Sequence, residues 1–259
     1  SGSYGLQRLD DSIFAAALRL RLGRLGGNRM RARVSRLFEA LKWLLGVWMT
    51  VVVIAAFFYA PAAQNLGQMS RIIYFHIPAA WVSVVAFAVC TAYSLRYLRN
   101  RRTQDDAAAS FSAELGLLFC VIATISGSIF AKATWGSYWN WDPRETSIFV
   151  LLLIYGAYFA LRSSVDDPAR RGSLSAVYGV LAFITVPLLV FVAPRIPAVQ
   201  SLHPDGPILA TGGGLDMDGR MMTVFISSLL GFTGLYAWVF TLRLRAWRFI
   251  TALANRQED

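Results

Sequence analysis

Six runs of mostly apolar residues, approximately 43–60, 77–95, 111–131, 146–162, 173–193 and 221–242, leave this chain few ways to fold. About 20 such residues cross the hydrocarbon core of a bilayer as a helix, at about 1.5 Å each. The fourth run reaches that length only if its first helical turn comes from the more polar residues just before it. A membrane β-barrel would show segments of about ten residues with alternating polarity, and these runs do not alternate. With 56% hydrophobic and only 15% charged residues, there is too little polar surface to wrap the runs in a soluble core. The expected fold is all-α: a polytopic membrane protein built as a six-transmembrane-helix bundle in a lipid bilayer.

The formal net charge of +10 could suggest nucleic acid, but its distribution excludes that partner. Of 25 Lys and Arg residues, 20 fall in the N-terminal segment, the second and fourth connections, and the C-terminal tail. The other connections hold only Arg71, Lys132, Arg144, Arg195 and Arg220. Basic loops stay on the cytoplasmic side of a membrane, so both termini are expected inside and the odd connections outside. This divides the chain into a basic cytoplasmic segment, 1–42, a transmembrane domain, 43–243, and a cytoplasmic tail, 244–259. The segment IFAAALRLRLGRL can lie on an anionic leaflet or remain loosely ordered. No cleavable leader is evident, so the first span is expected to serve as its own insertion signal.

Cys90 and Cys120 both fall inside predicted spans and read as small apolar residues. Neither forms CxxC or the CxxCH of covalent haem attachment, so the chain is not itself a c-type cytochrome. The stretch GPILATGGGLDMDGR, 206–220, has no Walker spacing and reads as a flexible approach to the last span.

The only two histidines both lie on the outer side. His76, in RIIYFHIPAAWVS, precedes Pro78, which suits the first turn of a helix; the helix dipole there disfavours imidazolium. His203, in AVQSLHPDGP, is held extended by Pro204, in a loop stiffened by Pro194, Pro197 and Pro207. Alone, each reads as an ordinary interfacial histidine. As a pair they are too few for a structural zinc site, but they match the two axial positions of a haem iron.

The third connection supplies a matching surface. TWGSYWNWDPRET, 134–146, packs Trp135, Tyr138, Trp139 and Trp141 around fixed charge, and Gly136 permits close backbone approach. Scattered aromatics would read as an interfacial belt, but this spacing is compact. Aromatic rings offer a porphyrin face a large contact area. Lys132 and Arg144 can meet its propionates, Arg144 by a bidentate fork. Asp142 is expected to orient Arg144 or a backbone turn rather than touch an anionic ligand.

WGSYWNWD resembles the tryptophan-rich WWD signature of membrane proteins that handle haem in cytochrome c biogenesis. The whole arrangement resembles the cytochrome c maturation protein C family (CcmC, haem exporter protein C): six spans, an outer WWD loop at 132–146, and one histidine in each flanking outer loop. RIIYFHIPAAW also resembles that family's first histidine region. The likeness covers roughly 43–243. It implies a protein of the bacterial-type inner membrane that holds haem b at the outer face and loads it onto the haem chaperone CcmE. It implies His76 and His203 as axial iron ligands, with the WWD residues holding haem. It also implies ABC-type partners CcmA and CcmB and the small subunit CcmD.

WDPRET departs from that pattern and resembles a form found in CcsA-type cytochrome c synthases, which usually have more spans and more histidines. Glu145 has two readings: a cap on the fourth helix or a part in loading haem. A haem or solute transporter is a further alternative; its marks would be ionisable groups deep in the spans, for which Glu114 and a kink at Pro187 are thin candidates. A structural subunit with aromatic docking anchors is another. No dedicated acid–base or nucleophile set is present, so a lyase-like role would rest on positioning the reactants.

Overall fold

The computed structural model describes residues 36, 38–63, 66–196, 201–203 and 217–258. The basic segment before residue 36, most of the Gly-rich approach and Pro197, Pro204 and Pro207 lie outside those residues. Six helices are long and apolar enough to cross a membrane. They are α1 (Phe38–Phe58), α2 (Ile73–Asn100), α3 (Thr103–Trp135), α4 (Pro143–Ser163), α5 (Pro168–Pro187) and α6 (Gly219–Glu258). Among the described residues there is no strand, only an isolated bridge between Ala63 and Gly67. The all-α, six-span expectation is therefore met, and the fourth helix does take its first turn from PRET.

Residues up to Trp48 form one unit and Met49–Asp259 another. In the first, Lys42 pairs with Glu39 one turn away and sits over the Trp43 ring. The second unit carries the packed core and both histidines.

Helix boundaries there follow from local chemistry. Asp142 and Asp167 each cap a helix that starts with proline, a residue whose missing N–H is harmless at that position. Gly136 ends α3 in the left-handed conformation, φ 83°, donating its N–H to the Lys132 carbonyl.

Helix α2 starts earlier than Pro78 suggests. A 3₁₀ turn, Gln68–Ile72, leads into it, and Pro78 lies inside the helix rather than in its first turn. Proline cannot donate to the carbonyl four residues back, that of Tyr74. The Ser228 hydroxyl on α6 donates to that carbonyl instead. In a bilayer no water can fill this gap, so a neighbouring helix must.

The core has α2 and α3 at its centre. Val82, Leu115, Phe119 and Tyr236 join these two to α6, while Phe87, Leu151, Tyr155 and Val186 join them to α4 and α5. The Ser112 hydroxyl donates to the Ala86 carbonyl (2.6 Å) and lies 2.7 Å from Tyr236 Oη, a polar link among three helices. Cys90 and Cys120 are free and buried in this core. Leu118, Ile122, Ile125 and Ile129 of α3 face outward, as expected of a surface meeting lipid.

Where α2–α3 and α4–α5 turn, Arg162 holds Asp106 by two bonds (2.7 and 3.0 Å). Glu114, the best candidate for an intramembrane ionisable group, is paired in the same bidentate way with Arg243 (3.0 and 2.7 Å). At Pro187 the α-helix of α5 gives way to a π turn, Leu188–Val192, and then a 3₁₀ turn, Ala193–Arg195. Such π turns concentrate at functional sites.

Candidate functional site

A cavity of about 470 Å³ opens at the end of the bundle that carries the α3–α4 connection, within the range of small-molecule sites. Its walls come from α2 (His76, Ala80, Trp81), α3 (Gly127, Phe130), α4 (Arg144, Glu145, Ile148) and the π turn (Leu189, Phe191). Arg195 and His203 complete it. Both histidines of the chain thus face one predominantly apolar space.

His76 projects from the first turns of α2 toward α3, where its Nδ1 lies 3.0 Å from the Ala123 carbonyl and 3.1 Å from Ser126 Oγ. A carbonyl can only accept, so Nδ1 carries the proton and Nε2 is left with its lone pair. Gly127 makes room for the ring: a Cβ there would stand 2.9 Å from His76 Cε1.

His203 is fixed by the connection that holds the tryptophans. Its Nδ1 lies 2.9 Å from Asp142 Oδ1. Burial pushes the His203 imidazolium below its ordinary pKa, as does Arg144, and this outweighs the raising effect of Asp142. The contact is therefore a hydrogen bond from a neutral imidazole, not an ion pair, and again Nε2 is left over. Burial would raise the Asp142 carboxyl, but N–H groups of Arg144 and Leu202, the Ser201 hydroxyl and nearby His203 together hold it below its ordinary value. Asp142 was expected to serve Arg144 or a turn; it receives the Arg144 backbone N–H (2.9 Å), and it also reaches His203.

The PRET end of the tryptophan-rich connection forms a cap. Pro143 begins α4, and Glu145 Oε2 accepts the N–H groups of Asn140 (2.7 Å) and Asp142 (3.3 Å). With Asp142 this is a reciprocal capping box. Trp141, inside it, has φ 56°, a conformation costly for a bulky residue and often found at functional sites.

The aromatic residues divide into distinct places. Trp139 lines the cavity and meets Phe149 edge to face, with centroids 6.2 Å apart. Trp135 ends α3 and packs its ring 4.8 Å from that of His203. Tyr138 and Trp141 are exposed. Lys132 is turned away from the cavity: it donates to the Gly136 carbonyl (2.9 Å) and lies over the Tyr138 ring. Gly136 shapes the turn and does not line the cavity.

Two wall residues carry no mark that the sequence patterns above would pick out. Trp81 stands four residues after Ile77, on the side of α2 that also carries Ala80 and Val84, so i, i+4 spacing from Ile77 reaches it. Arg195 comes from the end of the 3₁₀ turn that follows the π turn, and it donates to the Phe191 carbonyl (2.9 Å). Nothing in its neighbouring residues marks that position.

Among the described residues, no group of three or more His, Cys, Asp or Glu is placed to hold a bare metal ion. Two neutral imidazoles, flat apolar walls and two guanidinium groups instead suit a ligand that brings its own equatorial donors and carries acidic groups at one edge. Haem has that chemistry.

A profile for the family described as Heme exporter protein C matches residues 25–257, extending beyond 43–243 at both ends. The chain is 32% identical over 214 residues to Heme exporter protein C of Bradyrhizobium diazoefficiens, covering 81% of this chain and 78% of that protein. Its counterpart in Rhodobacter capsulatus is 30% identical, covering 73% and 77%. The Escherichia coli K12 protein of that name is 29% identical, covering 81% and 86%.

Proposed function

Since the chain belongs to the Heme exporter protein C family, with a role in haem handling for cytochrome c maturation, we propose that it holds haem b in the cavity, with His76 and His203 as axial ligands, and passes it to the haem chaperone CcmE. The observation that carries this reading is the pairing of the two imidazoles on one cavity, each with Nδ1 committed elsewhere. Trp139 and Trp81 would lie along the porphyrin, and Arg144 and Arg195 would meet its propionates. The exposed rings of Tyr138 and Trp141 would be presented to the chaperone.

The distribution of Lys and Arg supports an inner-membrane protein with this cavity at the periplasmic end. Association with CcmA, CcmB and CcmD follows from the family resemblance. The chain's contribution to covalent loading would be to hold the reactants in place.

The test is the visible spectrum of the purified membrane protein beside His76→Ala and His203→Ala. Each substitution is expected to abolish the six-coordinate low-spin signature. An unchanged spectrum in both would overturn the ligand assignment.

A further inference from the structure

One carboxylate joins the tryptophan-rich connection to the histidine that follows it by 61 residues. Asp142 has no exposed side-chain surface. Its Oδ1 accepts the Arg144 N–H (2.9 Å) and meets His203 Nδ1 (2.9 Å). Its Oδ2 accepts the Ser201 hydroxyl (2.8 Å) and the Leu202 N–H (2.7 Å). An ionised carboxylate has about four acceptor sites, and here four donors fill them. Two donors come from the segment containing His203 and one from its ring. The fourth comes from the first turn of α4, which Pro143 and Glu145 fix.

We propose that Asp142 is a positioning residue for haem coordination: it fixes the tautomer and direction of His203, so that Nε2 is presented to the iron. This rests on the reading of His203 as an axial ligand and adds how that ligand is set. Because Asp142 only accepts, Nδ1 must donate, and Nε2 must then be the basic nitrogen. A carboxylate behind a ligating imidazole also strengthens it as a donor. The Trp135 ring, with its centroid 4.8 Å from that of His203, restricts rotation of the imidazole.

Asp142→Asn keeps the size but replaces one acceptor with a donor, which opposes one of the four N–H or O–H groups. In the haem-loaded protein, retention of haem against an apo-globin trap is expected to fall about 10- to 100-fold. The reduction potential is expected to rise, because a weaker donor stabilises the ferric iron less. Asp142→Glu, which keeps the carboxylate, is expected to restore the potential most of the way. Equal potential and retention in Asp142→Asn and the original protein would overturn the proposal, as would an equal shift in Asp142→Glu.

His203→Ala is run alongside. If it retains the original spectrum, the ligand reading fails; if it alone changes, only the role of Asp142 fails. Should Asp142→Asn not accumulate, ¹⁵N-histidine NMR of the haem-free original protein decides. A His203 ring protonated at Nδ1 is expected, and one protonated at Nε2 would overturn the proposal.

Discussion

Gly127 and His76 meet where α3 crosses α2, with 2.9 Å between the imidazole Cε1 and the place a Cβ would occupy. The ring is held on α3 by the Ala123 carbonyl as well, so it cannot retreat without losing that bond. Gly127→Ala is therefore expected to displace His76. Overpacking of this kind costs about 1–3 kcal/mol, or about a 5- to 150-fold loss of haem retention if the site bears it. The check is haem content per purified protein, with helix content by circular dichroism unchanged.

Trp139 and Trp141 touch edge to face at 5.8 Å, yet only Trp139 lines the cavity. Trp139→Ala is expected to lower haem content, since a large aromatic part of the cavity wall is lost. Trp141→Gly is expected to leave haem content unchanged and relieve the positive φ, gaining on the order of 1 kcal/mol in stability, while reducing transfer to the chaperone. Quantifying haem on each protein before and after incubation with the chaperone separates the two.

Ser228 and Pro78 form a matched pair through the carbonyl of Tyr74. Ser228→Ala should destabilise the bundle by about 1–2 kcal/mol, the usual range for such a bond or for an orphaned buried acceptor. Pro78→Ala in that background should recover part of the loss, because residue 78 regains the N–H that Tyr74 lacks. A double-mutant cycle of detergent unfolding midpoints measures the coupling.

The tether between α4 and residues 201–203 should weaken in acid by two steps. The folded pKa of His203 lies below its ordinary value, so the folded state resists the proton. Its stabilising share is whole above about 6.5 and declines as pH falls below that. Asp142 is also depressed, so its share is present above about 3.9 and is lost as pH falls through the lower folded value. Hydrogen exchange at the Leu202 amide, measured on haem-free protein from pH 7.5 to 5, should accelerate at the lower end beyond the intrinsic pH effect.

The spans were legible because twenty-odd apolar residues in a row have few other uses, and span parity alone placed His76 and His203 at one end. The start of α2 was not legible. Pro78 looked like a first-turn residue, and its place inside the helix depends on a serine 154 residues from Tyr74. The concentration of aromatic rings and charge in the 132–146 connection was readable in its composition, but the division of labour within it was not. Trp135, Trp139 and Trp141 differ by where α3 ends and how the Asp142–Glu145 cap turns the chain. Glu145, open to two readings from its neighbours in sequence, has one oxygen committed to that cap. The contact between Asp142 and His203 was invisible because nothing local encodes a partner across two further helices.

The π turn at Leu188–Val192 holds one residue more than an α turn would. The wide turn takes up that extra residue. If the same residues continued as an α-helix, the exit of α5 would rotate by roughly 100°. Arg195 would swing off the cavity wall. One turn of unusual width thus decides which way the chain faces as it leaves α5.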